Sequence, residues 1–170
     1  RAGDILLNKF GSWEAVTEAP LNSIEETIRP AGLSKQKAPR IKGALQTILK
    51  LRGTLSLDFL AGLPLEDAKS WLRQLPGVGP KTTAIVLCFA LGMPAMPVDT
   101  HIHRVSKRLG LIGPKVNADL AHDLLEPMVP PNEIFSFHMG LIVHGRTTCK
   151  ALRPRCNDCV LRIKCPSKMD

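Results

Sequence analysis

Leu75-Pro76-Gly77-Val78-Gly79-Pro80-Lys81-Thr82 is a bend set between two stretches, 65–74 and 80–92, whose apolar residues recur at three- and four-residue intervals. Two glycines one residue apart allow a tight turn, and Pro80 suits the first helical position, where its missing N–H costs the helix nothing. A hairpin between two helices is therefore predicted over 75–79. The amides of Gly77, Val78 and Gly79 are expected to point outward beside a positive helix N-terminus, an arrangement that binds phosphate. Such contacts would fix register on a duplex without reading its bases. A plain helix-helix turn uses glycines for backbone shape alone, so the bend by itself leaves both readings open.

The same periodicity extends in both directions. Helices are predicted over 2–9, 12–18, 22–29, 35–52, 65–74, 80–92, 100–109, 116–128 and 132–144, separated by Gly or Pro. Ser12 and Asn22 read as N-caps, Gly43 weakens the longest helix, and Ala31-Gly32 and Gly62-Leu63-Pro64 read as stops. No alternating apolar and polar stretch argues for a sheet, so the fold class is all-α. The connector Gly92-Met93-Pro94-Ala95-Met96-Pro97 carries two prolines that a helix interior would not tolerate. A lobe boundary is placed there, giving a helical lobe 1–95 and a second lobe 96–170, with a cleft between them.

Lys81 falls in the first turn of the helix after the bend, and Asp99 follows eighteen positions later in Val98-Asp99-Thr100-His101-Ile102. An amine and a carboxylate supplied by separate segments are the minimum kit for attacking an electrophilic carbon and forming a Schiff base. A lysine beside a positive helix end is otherwise read as a solvated surface residue. An attacking amine must be unprotonated, which partial burial and the helix dipole both favour. Asp99 is also a good N-cap for the helix that follows, and the two roles are compatible. As a catalytic group it would stabilise positive charge developing at a sugar C1′ and assist deprotonation of the amine. His101 and His103 are read as polar packing or phosphate contacts rather than metal ligands.

Composition narrows the partners. The 170 residues contain 23 Lys plus Arg against 15 Asp plus Glu, a net charge of +8, with a pI near 9.5. Such a balance favours polyanions such as nucleic acid. Seven basic residues against two acidic ones between Arg146 and Asp170 supply five of those eight charges, so the C-terminal segment is the basic face. No run of eighteen apolar residues and no secretory layout occurs, so a cytoplasmic, nucleoid-associated location without a membrane partner is expected.

Five cysteines are present, and four of them, Cys149, Cys156, Cys159 and Cys165, lie within 17 residues in a C-x6-C-x2-C-x5-C spacing. In a reducing compartment, four thiolates in so short a loop point to metal ligation. Zinc usually takes two Cys-x2-Cys pairs, and this run has one; unequal gaps suit a cubane cluster, with zinc open as the alternative. Cys88, alone in an apolar run, is read as a core residue.

LPGVGPKTTAIVL, MPVDTHIHRVSKRLGL and HGRTTC with the four-cysteine run together resemble the endonuclease III branch of the helix-hairpin-helix DNA glycosylases, from about residue 35 to Cys165. The resemblance implies a two-lobed glycosylase fold ending in a [4Fe-4S] loop. It also implies a base-excision repair enzyme that flips an oxidised pyrimidine out of duplex DNA, removes it and cleaves the abasic strand. Lys81 would be the Schiff-base nucleophile, Asp99 its carboxylate partner, and Cys149, Cys156, Cys159 and Cys165 the iron ligands. Gly77, Val78, Gly79, Thr82 and Arg146 are the candidate DNA contacts. The partner is double-stranded DNA with damaged bases or abasic sites, bound by a monomer. Two other functions fit the same residues: a non-catalytic DNA-binding module, and a monofunctional glycosylase for alkylated or mismatched bases in which Asp99 activates water. Family members begin with a helical segment bearing a Ser-Ala-Gln-type stretch that lines the base pocket, and Arg1 stands after that point.

Overall fold

The computed structural model describes residues 2–169, and among them every regular element is helical. The helices are α1 (Ala2–Phe10), α2 (Trp13–Glu18), α3 (Leu21–Ile28), α4 (Ser34–Arg52), α5 (Leu65–Arg73), α6 (Pro80–Ile85), α7 (Thr100–Arg108), α8 (Ala118–Leu125) and α9 (Ile134–Thr147). They coincide closely with the predicted stretches. Short 3-10 turns at Asp58–Gly62 and Arg162–Lys164 carry too few residues for a periodic signal. None of the helices is long and apolar enough to cross a membrane.

The predicted caps fare differently. Ser12 caps α2 as expected, its hydroxyl accepting from the Ala15 amide at 3.1 Å. Asn22 does not cap α3: that helix starts one residue earlier, behind Pro20, and the Asn22 side chain accepts from its neighbour Ser23. Proline sets the entry by fixing φ and offers no side-chain acceptor for the first turn.

Residues 2–59 and 70–78 form one compact unit and residues 60–69 and 79–169 another. The chain thus passes between the units at 59/60, 69/70 and 78/79, and 95/96 is not one of those points. Pro94 and Pro97 end a helix, as expected, but Ala95, Met96, Pro97 and Val98 between and beside them are buried. A segment that contributes Met96 and Val98 to a core is not a linker between cores.

The first unit packs α1 to α4 around Leu6, Val16, Ala19, Ile24, Ile28 and Ala38, with Trp13, Ile41 and Leu45 against them. In the second, Met96, Val98, Ile102, Val105, Leu125, Ile134 and Leu141 share a core with Cys88, whose thiol is pushed up by burial. Cys88 is a core residue, as its neighbours in sequence indicate. A Cβ on Gly145 in α9 would stand 3.0 Å from the Cβ of His101 and 3.2 Å from Val105, so glycine is what lets α9 approach α7.

Candidate active site

The 75–79 bend is a tight turn, and its two glycines have different jobs. Gly77 adopts φ +77°, the left-handed region where glycine alone is at ease, and a Cβ there would lie 2.6 Å from Cδ of Arg40 in α4. Gly79 is extended, and a Cβ on it would meet nothing within 4 Å. It stands as the N-cap of α6 with no side-chain cap, so its open surroundings leave the first amides of that helix accessible. The expectation of three outward amides needs correction. Val78 donates its N–H to Leu75 at 3.1 Å, closing the turn, so that group is spent inside the hairpin. Thr82 is exposed one residue after Lys81, and Arg146 is exposed on α9.

Lys81 is the second residue of α6, behind Pro80 at N1. It is exposed, where partial burial was expected. The helix does not remain α-helical: Val86 donates to both Thr82 and Thr83, and Val86–Ala90 continue as a single π turn. The π turn is followed by Gly92, with φ +63°.

Asp99 caps α7. Its Oδ1 accepts from the amides of His101 and Ile102, each at 2.8 Å. Among the described residues the carboxylate has no other hydrogen bond, so one oxygen holds the helix and the other is left for a ligand or a proton. Lys81 and Asp99 belong to the same unit rather than to opposite lobes.

What connects them is a residue the sequence reading did not single out. His138 of α9 is 2% exposed, and its Nδ1 bonds the carbonyl oxygen of Pro97 at 2.9 Å. A carbonyl only accepts, so Nδ1 carries the proton. Burial holds the His138 pKa below its usual 6.5; the bond to Pro97 and the Asp99 carboxylate pull it up, and the Lys81 ammonium pushes it down. The ring therefore lies in the fields of both candidate catalytic groups. A lone histidine on an apolar helix carries no spacing signal, and only the fold brings it to the Pro97 carbonyl, two residues before Asp99.

The four cysteines are all unpaired and all line one cavity of about 410 Å³, counted with its open mouth. This cavity lies in the C-terminal loop, and neither Lys81 nor Asp99 lines it. Arg108 of α7 donates to Cys149 Sγ at 3.4 Å and to the carbonyls of Lys150 and Ala151, while its own carbonyl accepts from Cys165 Sγ at 3.5 Å. His144 Nε2 stands 3.8 Å from Cys159 Sγ. Arg155, Arg162 and Lys168 are also among the residues that line it. No three Cys, His, Asp or Glu side chains among the described residues converge on one ion-sized point. Arg104, also on α7, holds the start of this loop through the Cys149 and Gly145 carbonyls and touches His101 Nδ1 at 3.2 Å. His101 and His103 serve polar packing, the latter through Val116 at 2.8 Å.

Known proteins share both the fold and the sequence. Residues 4–131 match the family described as the HhH-GPD superfamily base excision DNA repair protein. Endonuclease III of Bacillus subtilis is 34% identical over 165 residues, a match covering 97% of this chain and 71% of that protein. Endonuclease III of Sulfolobus acidocaldarius is 31% identical, with 92% and 68% covered. A solved trapped endonuclease III–DNA covalent intermediate superimposes with a TM-score of 0.82 at 32% identity, covering 98% of this chain and 74% of that one. Against an Arabidopsis thaliana relative of 36% identity, the chain spans 52% of the length.

Proposed function

Because the chain belongs to the HhH-GPD superfamily of base excision DNA repair proteins, we propose that it is a DNA glycosylase with abasic-site lyase activity, acting on damaged, oxidised pyrimidines in duplex DNA. The observation that carries this reading is that one unit holds both an exposed amine, Lys81, in the first turn of α6 and a carboxylate, Asp99, at the N-cap of α7 with Oδ2 free of any hydrogen bond among the described residues. The likeness to a trapped endonuclease III–DNA covalent intermediate supports a covalent route.

In this reading, phosphates of the duplex dock on the open amides at the start of α6, with Gly77, Gly79 and Thr82 at the hairpin and Arg146 on α9. The damaged nucleotide is extruded at a cost of a few kcal/mol. The Lys81 amine, relieved of a proton, forms a bond to C1′ as the glycosidic C–N bond breaks and the base leaves with the electron pair. Asp99 stabilises the positive charge that develops on the sugar, using the oxygen that does not cap α7. Ring opening gives a Schiff base. Loss of a C2′ proton then expels the 3′ phosphate, and water hydrolyses the imine to free Lys81.

Four cysteines lining one cavity, in a stretch of chain rich in Lys and Arg, suit a [4Fe-4S] cluster that Cys149, Cys156, Cys159 and Cys165 would hold. Such a cluster would tie four points of the basic 149–165 loop together and so hold its Lys and Arg side chains on a surface for the phosphate backbone. Zinc is the alternative metal.

Product analysis tests the function. A labelled duplex with one oxidised pyrimidine should yield a strand nicked at the lesion. An intact strand carrying only an abasic site would exclude the lyase step.

A further inference from the structure

Asp99 hangs from a stretch outside any helix, 93–98, in which Met93 and Ala95 donate to the carbonyls of Leu87 and Met93 but no helical ladder fixes residues 96–98. Three buried or half-buried side chains from elsewhere in the same unit do so instead. Glu126 accepts the Met96 amide on Oε2 at 3.0 Å. Its other oxygen accepts from Lys69 of α5, which is 7% exposed and also bonds Glu66 at 2.7 Å. His122 of α8 bonds the Met96 carbonyl at 2.7 Å through Nδ1. His138 of α9 bonds the Pro97 carbonyl at 2.9 Å. Consecutive peptide units are thus gripped from three helical segments, ending two residues short of the carboxylate.

We infer that His138 is a positioning residue for Asp99, holding the Pro97 carbonyl so that the carboxylate oxygen not used to cap α7 faces the reacting sugar. The inference rests on the proposed role of Asp99. A carboxylate that merely capped a helix would need no second grip, because its two amide bonds already satisfy Oδ1. Orientation of the second oxygen depends on where the backbone enters the helix, and that entry is set at Pro97 and Val98. The Phe89 ring and the Pro97 carbonyl touch the imidazole, and the charges that act on it are those of Asp99 and Lys81. No other charged group among the described residues is found in its field.

Two polar replacements separate positioning from packing. His138→Asn keeps an amide donor where Nδ1 stands, whereas His138→Gln places its amide where Nε2 stands and leaves the Pro97 carbonyl without a partner. With a duplex containing an abasic site, His138→Gln should lower kcat by about 10- to 100-fold, the scale set by small misplacements of reacting groups. Its KM should stay within about twofold, because the DNA-binding hairpin is untouched. His138→Asn should recover most of the lost kcat. Equal impairment of the two variants, or a weaker effect in the glutamine variant, overturns the inference. Asp99→Asn, which preserves the cap, runs in parallel: if it is inactive while His138→Gln turns over normally, positioning by His138 is wrong and the carboxylate role stands. If Asp99→Asn itself turns over normally, the underlying reading fails, and the inference with it.

Discussion

His138 bonds the carbonyl of Pro97 at 2.9 Å, two residues before Asp99, so a buried ring on α9 grips the segment that delivers a carboxylate from the start of α7. Burial keeps this ring neutral by lowering its pKa below 6.5. An unfolded chain takes up the proton near pH 6.5, while the folded chain resists it until lower pH. The stability this site contributes is therefore complete above about pH 6.5 and is lost as pH falls through the depressed folded value. Urea unfolding at about pH 7.5 and about pH 5.5 should show a larger acid loss in the natural protein than in His138→Asn, which has no titrating ring. Equal losses would mean the ring does not titrate differently on folding.

Lys69 makes the opposite prediction at the other end of the pH scale. Burial alone would lower its pKa, but hydrogen bonds and charge attraction from Glu126 and Glu66 raise it above 10.5. Stability from this ammonium is present below the unfolded value and lost as pH rises through the folded one. Lys69→Met leaves Glu126 partly buried without its cation and should cost about 3–5 kcal/mol in urea unfolding. A cost below about 1 kcal/mol would mark the pair as an ordinary surface bridge.

Two glycines should not tolerate alanine, for different reasons. Gly77→Ala forces a Cβ into left-handed backbone and against the Arg40 stem, with about 1–2 kcal/mol expected from the backbone alone. Gly145→Ala drives a methyl against His101 and Val105 and should cost about 1–3 kcal/mol. Gly79→Ala should leave stability nearly unchanged, since its Cβ position is empty. If that position is open for a phosphate backbone, the same change should weaken duplex binding. Thermal melting and a DNA titration read the two effects separately.

The cysteine loop predicts a metal-dependent spectrum. Protein purified without oxygen should be brown, with a broad visible band and about four irons per chain. Cys156→Ser should lose iron and colour. A colourless protein with one zinc would assign the loop to zinc instead.

Much of this fold was legible because helical periodicity and Gly or Pro punctuation are local signals. α1 to α9 follow from them to within a few residues, save that the α6 stretch turns to a π turn after Ile85, and Asp99 announces itself as a cap. Long-range facts were not legible. Pro94 and Pro97 locate the end of a helix correctly, but no local pattern says whether the segment between them is a linker or, as Met96 and Val98 make it, part of a core. Lys69, the neighbours His122 and Glu126, and His138 come from three separate parts of the chain and meet only where Glu126, His122 and His138 bond the 96–97 backbone and Lys69 bonds Glu126, so no motif spacing could reveal them. The hairpin glycines were seen, yet the internal use of the Val78 amide depends on turn geometry rather than composition.

Covalent trapping bears most directly on the chemistry assigned to Lys81. Incubated with an abasic-site duplex and sodium borohydride, the natural chain should yield a stable protein–DNA adduct, with the reduced bond at Lys81, and Lys81→Gln should yield none. An adduct that persists undiminished in Lys81→Gln, or its absence from the natural protein, would contradict the assignment.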